Sequence, residues 1–299
     1  MDYYGEQRCS YKKRDGNACV NWAYYRFEDR LSCGVHAKDK TRKLPKNPVK
    51  VSRQEEWNQA RILDGRGTVC VTTLRMMKKP EYRQGYIPVF PNYKHGGRTD
   101  GLGMPALSPK AMGPIDHGQP GLPPALNLEN FHQANKVFAS EVDAEGNPLP
   151  VWYERRLALY QDLVPHRHKL GNTKEEHLKN AGIIGNANVC LYSIVVNADG
   201  KDEGKDEAKG KDEAKGKEVR YSYVESRKFY CTFYERIARE TPEYKRLEEL
   251  LSQGYHLQIF GYDGYSATKS LQEHYSDPER PFGHEMVLYS MLMGEHPWR

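Results

Sequence analysis

Residues 241–264 read TPEYKRLEELLSQGYHLQIFGYDG, and they spell a helix, a stop, a strand and a turn in that order. Pro242 follows Thr241 at the first helical position, where its missing N–H costs nothing. Tyr244, Leu247, Leu250 and Leu251 recur at helical spacing and form an apolar stripe. Gly254 ends the helix by tolerating a left-handed backbone. His256 to Phe260 then reads as a buried strand, and Gly261-Tyr262-Asp263-Gly264 is a turn at its carboxyl end. Beyond the turn, Met286, Leu288, Tyr289 and Leu292 mark a closing helix.

Working back from this unit, Val219–Val224 and 188–196 are strand-like, rich in β-branched and aromatic residues. Between them lies GKDEGKDEAKGKDEAKGK, residues 200–217, with no large apolar side chain to bury. The simplest arrangement is one β-hairpin with an expanded charged tip, since loop closure entropy grows only slowly with length. Two helices precede it. One is capped by Asn127 and runs over 128–138, carrying Glu129 in its first turn and Phe131 and Phe138 on its apolar face. The other covers 151–162 and ends before Pro165. Residues 95–125 contain seven Gly and six Pro, which excludes a regular element there. Met104, Leu107, Met112 and Ile115 recur through that stretch, so it reads as a shaped wall around a site rather than a free linker. Residues 52–63 form one helix in an otherwise weakly periodic basic stretch from Thr41 to Tyr93.

Only 38% of the 299 residues are hydrophobic, and no apolar run approaches the ~18 residues of a membrane span. The opening Met-Asp-Tyr-Tyr-Gly-Glu has no apolar signal core, so no membrane association and an intracellular setting are expected: cytoplasm, nucleus or a virus particle. Residues 1–95 hold 20 Lys/Arg and 10 Asp/Glu, a net of +10; the remainder holds 25 and 30, a net of −5. A basic head suits an anionic partner, with nucleic acid first, although a solvated basic tail has the same composition.

Six cysteines occur, and four residues near the start cluster as ligands: Cys9, Cys19, Cys33 and His36. Cys33-Gly34-Val35-His36 allows a tight turn to present thiolate and imidazole to one ion. Three Cys and one His close a tetrahedral structural zinc site with no open position. A module of ~40 residues would need that metal to fold. The alternative is a small core of reduced cysteines.

Chemistry is expected on the polar side of the 128–138 helix. Glu129, Gln133 and Lys136 lie on one face, with His132 at its edge. The same spacing also occurs on ordinary solvated helices. Cys190 and Cys231 are lesser nucleophile candidates, core being the alternative, His166-Arg167-His168 read as loop residues, and His284-Glu285 as a second candidate at the start of the closing helix.

The pattern Glu129-x-x-x-Gln133-Ala134-x-Lys136 resembles the hallmark helix of the NADAR family, N-glycosidases that act on ADP-ribose-type and related phosphoribosyl compounds. Trp152 and Arg156 resemble the family's Trp-x-x-x-Arg helix, Leu250-Leu251-x-x-Gly254 its Leu-Leu-x-x-Gly turn, and Asp263 its Asp. Where the family has Trp-Gly soon after that Asp, this chain has Gly264-Tyr265-Ser266. The stretch from Pro105 to Trp298 also resembles a protein group of large DNA viruses. The family resemblance implies catalytic roles for Glu129, Lys136 and Asp263. It implies substrate contacts for Gln133, Trp152 and Arg156 and a nucleotide-sugar or ADP-ribosylated substrate; His132, at the edge of the stripe, is expected to contact it too.

The fold expectation is therefore α+β: a mostly helical domain with a short β-sheet, preceded by a small zinc-binding module. The expected divisions are a zinc-binding module over 1–42, a basic connector over 43–94 and a NADAR-like α+β domain over 95–299 with a charged insertion at 200–217. The functional expectation is a hydrolase of an N-glycosidic bond, tethered by a zinc module. The alternative is a non-enzymatic zinc-containing protein that binds nucleic acid or protein, or builds a virus particle.

Overall fold

The computed structural model describes residues 7–12, 16–21, 23–27, 29–37, 40, 44, 48–75, 78–166, 190–197 and 217–299. The charged run 200–216, the pair Arg167-His168 and residues 188–189 lie outside them. The chain divides into two compact units, Met1–Arg61 and Ile62–Arg299.

In the first unit, β1 (Tyr25–Phe27) pairs antiparallel with β2 (Arg30–Ser32). An isolated bridge joins Lys12 to Ala18, and Cys19 N–H donates to the Tyr11 carbonyl at 2.9 Å. The helix expected over 52–63 runs from Pro48 to Ala60.

In the second unit, β3 (Val69–Thr73), β4 (Tyr86–Phe90), β5 (Leu102–Gly103) and β9 (His256–Gly261) form one sheet, in the order β3-β9-β4-β5 and parallel throughout. The strand read from His256 to Phe260 is thus the inner strand of a sheet whose other members lie more than 150 residues earlier. This corrects the connector expected over 43–94. Its second half supplies two of the four strands, and its basic side chains belong to loops around them. Gln258 stitches the pieces together. Its amide donates to Thr72 Oγ1 at 2.9 Å and to the Glu81 carbonyl at 3.0 Å, and its oxygen accepts from Arg83 N–H at 2.8 Å. Leu257, Ile259 and Phe260 are fully buried, and the closing helix His284–Met293 buries Met286, Val287 and Leu288 in the same unit.

A second sheet joins β6 (Lys136–Phe138), β7 (Cys190–Asn197) and β8 (Lys217–Tyr221) in antiparallel order. The hairpin read from the flanking strands is the β7–β8 pair. The α+β class holds, but its balance differs from a mostly helical body with one short sheet, because the described residues of the second unit include seven strands in two sheets. Among the described residues between Leu74 and Pro109 the only helix is the single turn Pro105–Leu107.

The helix expected over 128–138 is shorter than its pattern suggested. It spans Leu128–Ala134, and Lys136–Phe138 is strand. Asn135 ends it: the side-chain amide turns back to the Phe131 carbonyl at 2.8 Å, while its oxygen receives Tyr160 and Arg156. The described residues of this unit also form helices Pro150–Gln161, Arg227–Ala238, Pro242–Ser252 and Leu271–Ser276. Among the described residues no helix is long and apolar enough to cross a membrane.

Candidate functional site

Two constellations stand out, one in each unit. In the first, the ligand atoms of Cys9, Cys19, Cys33 and His36 all lie within 4.8 Å of one another. Between the first two cysteines the Lys12–Ala18 bridge pairs the chain with itself and returns Cys19 beside Cys9. The β1–β2 hairpin delivers Cys33. A turn held by His36 N–H to the Cys33 carbonyl at 3.1 Å then brings the imidazole round. His36 Nδ1 lies 3.5 Å from Cys9 Sγ and 3.3 Å from Cys33 Sγ. Bonds of ~2.3 Å to sulfur and ~2.1 Å to nitrogen at tetrahedral angles put such ligand atoms about 3.6 Å apart, so the spacing fits a four-coordinate ion. Burial opposes ionisation of the Cys33 thiol, but the backbone N–H groups of His36 and Val35, with the Asn21 amide, outweigh it and bring the thiol down to about 6. A thiolate is what a metal needs. Three thiols and one imidazole can hold a metal ion and are compatible with zinc.

The second constellation lines a cleft of about 870 Å³ in the Ile62–Arg299 unit. It opens at the carboxyl ends of β4 and β9, the usual place for a site in an open parallel sheet. Asn92 to His95 follow β4 and Tyr262-Asp263 follow β9. The Gly/Pro stretch contributes Ser108, Pro109 and Lys110, and it is a wall as expected: Leu107 and Ile115 are fully buried beneath it. The wall is sewn to the helix start, because Pro109 and Met112 carbonyls accept from Glu129 N–H at 3.1 Å and Leu128 N–H at 2.8 Å. Asn127 caps the helix through Asn130 N–H at 2.8 Å.

Five of the seven side chains expected around a substrate line this cleft: Glu129, His132, Gln133, Lys136 and Asp263. Glu129 is only 8% exposed. Gln133 Nε2 donates to Glu129 Oε1 at 3.1 Å, and Lys136 Nζ donates to Gln133 Oε1 at 3.4 Å, so the amide is a relay between carboxylate and ammonium. Lys136 reaches this position from a strand rather than from the helix that carries the other two. Burial pushes its ammonium below the usual lysine range, against the pull of Cys190, Glu129 and Asp263. Burial, with Lys136 and Arg227 nearby, holds His132 well below the usual histidine value, so that ring is neutral.

Trp152 and Arg156 do not line the cleft. Trp152 is fully buried with Val137 and Ile194, and its indole donates to the Lys136 carbonyl at 2.8 Å. Arg156 is buried against Trp152 and bonds Asn135 Oδ1 at 3.0 Å and the Gln119 side chain. The helix that carries them supports the cleft from behind. Arg155, unremarked in the sequence, does the same, donating to the Gln133 carbonyl at 3.1 Å and the Lys136 carbonyl at 2.7 Å.

Cys190 lines the cleft, but burial raises its thiol; Cys231 is fully buried and raised much further. Neither is a nucleophile as it stands. His166 Nε2 pairs with Asp162 Oδ2 at 2.7 Å in a local contact. Residues that the sequence did not single out also line the cleft, among them His95, Arg227 and Tyr230. His95 follows a strand that carries Pro88, a residue seldom found in inner strands, and only that strand would have marked it. Arg227 begins a helix that the aromatic run Phe229–Tyr234 disguised.

No family model matches the chain, and neither the curated proteins nor the solved structures contain a match to it.

Proposed function

We propose that the Ile62–Arg299 unit is an N-glycosidase-like hydrolase that cleaves the bond between C1 of a ribose and a base nitrogen, in an ADP-ribose-type or phosphoribosyl compound. One observation carries this reading: Glu129 and Asp263, from elements 134 residues apart, line one cleft together with Gln133 and Lys136. A binding scaffold gains nothing from sheltering two carboxylates and an ammonium side by side, since shielding charges from water is costly. A hydrolase does gain. Departure of the base leaves positive charge on C1 and the ring oxygen, and a carboxylate fixed nearby stabilises it.

Glu129 takes that role, held in place by Gln133. Lys136, whose burial favours the free amine, adds to C1 as the base nitrogen leaves with a proton; the ring then opens to an imine, which water hydrolyses, returning the amine. Asp263 accepts hydrogen bonds from the ribose hydroxyls. Lys94 and Lys110 around the same cleft suit the phosphates of such a substrate.

The Met1–Arg61 unit is proposed as a zinc module, with Cys9, Cys19, Cys33 and His36 as ligands and the metal in a structural role. Together with the basic residues up to 95 it tethers the hydrolase to nucleic acid.

Incubation with ADP-ribose, ADP-ribosylated DNA and a phosphoribosyl pyrimidine amine tests the reading. Release of free base is expected from at least one, with Glu129→Gln lowering turnover several hundredfold and leaving ligand binding nearly intact. Borohydride should trap a sugar on Lys136. Absence of turnover on all three would return the molecule to the non-enzymatic binding or viral structural class.

A further inference from the structure

Departure of a base as a neutral amine requires a proton, and neither Glu129 nor Lys136 is assigned to deliver it in the scheme above. We infer that His284, oriented by the buried carboxylate of Glu285, is the general acid of the cleft. The inference rests on the hydrolase reading.

His284 lines the cleft and is 8% exposed. Its Nδ1 lies 3.2 Å from Glu285 Oε2. Glu285 itself is fully buried. Burying a carboxylate is expensive without a specific partner, and an imidazolium at ion-pair distance is such a partner.

Two glycines show that the backbone makes room for this carboxylate. A β-carbon on Gly261, the last residue of β9, would lie 1.9 Å from Glu285 Cγ and 2.0 Å from Oε1. A β-carbon on Gly283 would lie 3.1 Å from Glu285 Oε2 and 3.1 Å from Asp263 Cβ. Glu285 is therefore lodged under the end of the strand that presents Asp263. The carboxylate that fixes the ring and the carboxylate that meets the ribose share one small region. A third group, His95, lies close enough for its charge to oppose that of His284.

Glu285 acts as a positioning residue. Its charge, 3.2 Å from Nδ1, stabilises the imidazolium that serves the leaving group. When the C1–N bond breaks, the electron pair goes to the base nitrogen, the imidazolium gives that nitrogen its proton, and water restores the proton as it attacks C1. The groups placed against His284 are Glu285, which favours the imidazolium, and His95, which opposes it; the Tyr234 ring lies 6.3 Å away.

The test compares two leaving groups. A phosphoribosyl pyrimidine amine leaves only when protonated, whereas a ribosyl nicotinamide phosphate leaves as a neutral pyridine and needs no acid. His284→Gln should slow cleavage of the first by at least ~100-fold and of the second by less than ~10-fold. Glu285→Gln should move the alkaline limb of the rate profile for the first substrate to lower pH, a readout that loss of packing alone would not produce. Thermal melts of both variants establish that they fold, and His284→Asn serves if His284→Gln does not. Equal losses on the two substrates, or no loss on either while Glu129→Gln remains inactive, would overturn the acid role and leave the hydrolase standing. If the parent chain cleaves neither compound, the hydrolase reading fails and the acid role falls with it.

Discussion

The indole N–H of Trp152 donates to the backbone carbonyl of Lys136 at 2.8 Å, and Arg155 donates to the same oxygen at 2.7 Å. The helix expected to touch substrate instead holds the turn between Gln133 and Lys136 from behind. Arg155 is itself braced by Glu141, at 2.9 Å between Nη2 and Oε2, and Glu141 also accepts from Phe138 N–H at 3.1 Å. Placement of the Lys136 side chain thus depends on side chains that never meet the cleft.

Trp152→Phe should therefore weaken the fold without emptying the core. The smaller ring leaves a void and deletes one donor, although Arg155 still satisfies the carbonyl. A loss of about 2 kcal/mol is expected, read as a lower denaturant midpoint with an unchanged slope. A variant as stable as the parent would show that the indole N–H and its packing contribute nothing.

Gly261→Ala should be worse. The added carbon would meet the Glu285 side chain at 1.9 Å, and Glu285 has no solvent route of escape because it is fully buried. Overpacking of this kind costs about 3 kcal/mol. Gly16→Ala is the contrast in the other unit, with no atom within 4 Å of the new carbon but a backbone φ of +82° that disfavours a side chain. Denaturant melts of the two separate a steric clash from backbone strain.

His132 sets a pH dependence. Its folded value lies well below that of an unfolded histidine because burial, Lys136 and Arg227 disfavour the charge. The unfolded chain takes up a proton that the fold excludes, so this contribution is complete above the ordinary histidine value of ~6.5 and is lost as pH falls toward the lowered one. The slope is at most about 1.4 kcal/mol per pH unit. His132→Gln should lose less stability than the parent between pH 7 and pH 5, measured by urea midpoints; an identical loss would place the acid sensitivity elsewhere.

What the sequence revealed depended on how local the signal was. The ligand set Cys9, Cys19, Cys33 and His36 was legible because few side chains bind soft metals. The Pro242–Ser252 helix was legible because one stripe and two terminal residues agreed. Glu129, Gln133 and Lys136 do converge, but a helical period read through Asn135 assigned Lys136 to the wrong element. The parallel sheet was hidden for a physical reason. β3 and β4 are short, they do not alternate in polarity as half-exposed strands do, and their shared neighbour β9 lies at the far end of the chain. Long-range pairing leaves no mark in either strand alone.

Metal content provides a separate check on the first unit. One zinc per chain is expected, and Cys19→Ser should bring it well below one, because removal of one thiolate opens a four-ligand site. Undiminished zinc in the variant would mean that the ion sits elsewhere.

Nucleic-acid binding requires a cut that respects the sheet. A chain beginning at 96 would lack β3 and β4, which flank β9 on both sides, and should not fold. A chain beginning at Ile62 keeps the whole second unit and removes 14 Lys/Arg and 8 Asp/Glu, a net of +6. If the basic head binds duplex DNA through phosphates, the logarithm of the full chain's affinity should fall with the logarithm of salt at a slope near −0.9 for each phosphate neutralised. The shortened chain should bind weakly, with a correspondingly shallower slope, and should keep its melting transition. Residues 62–95 retain 6 Lys/Arg against 2 Asp/Glu, a net of +4, so a residual electrostatic affinity is expected. Equal affinity and equal slope for the two chains would assign the binding to that segment or the body and leave the Met1–Arg61 unit with a different partner.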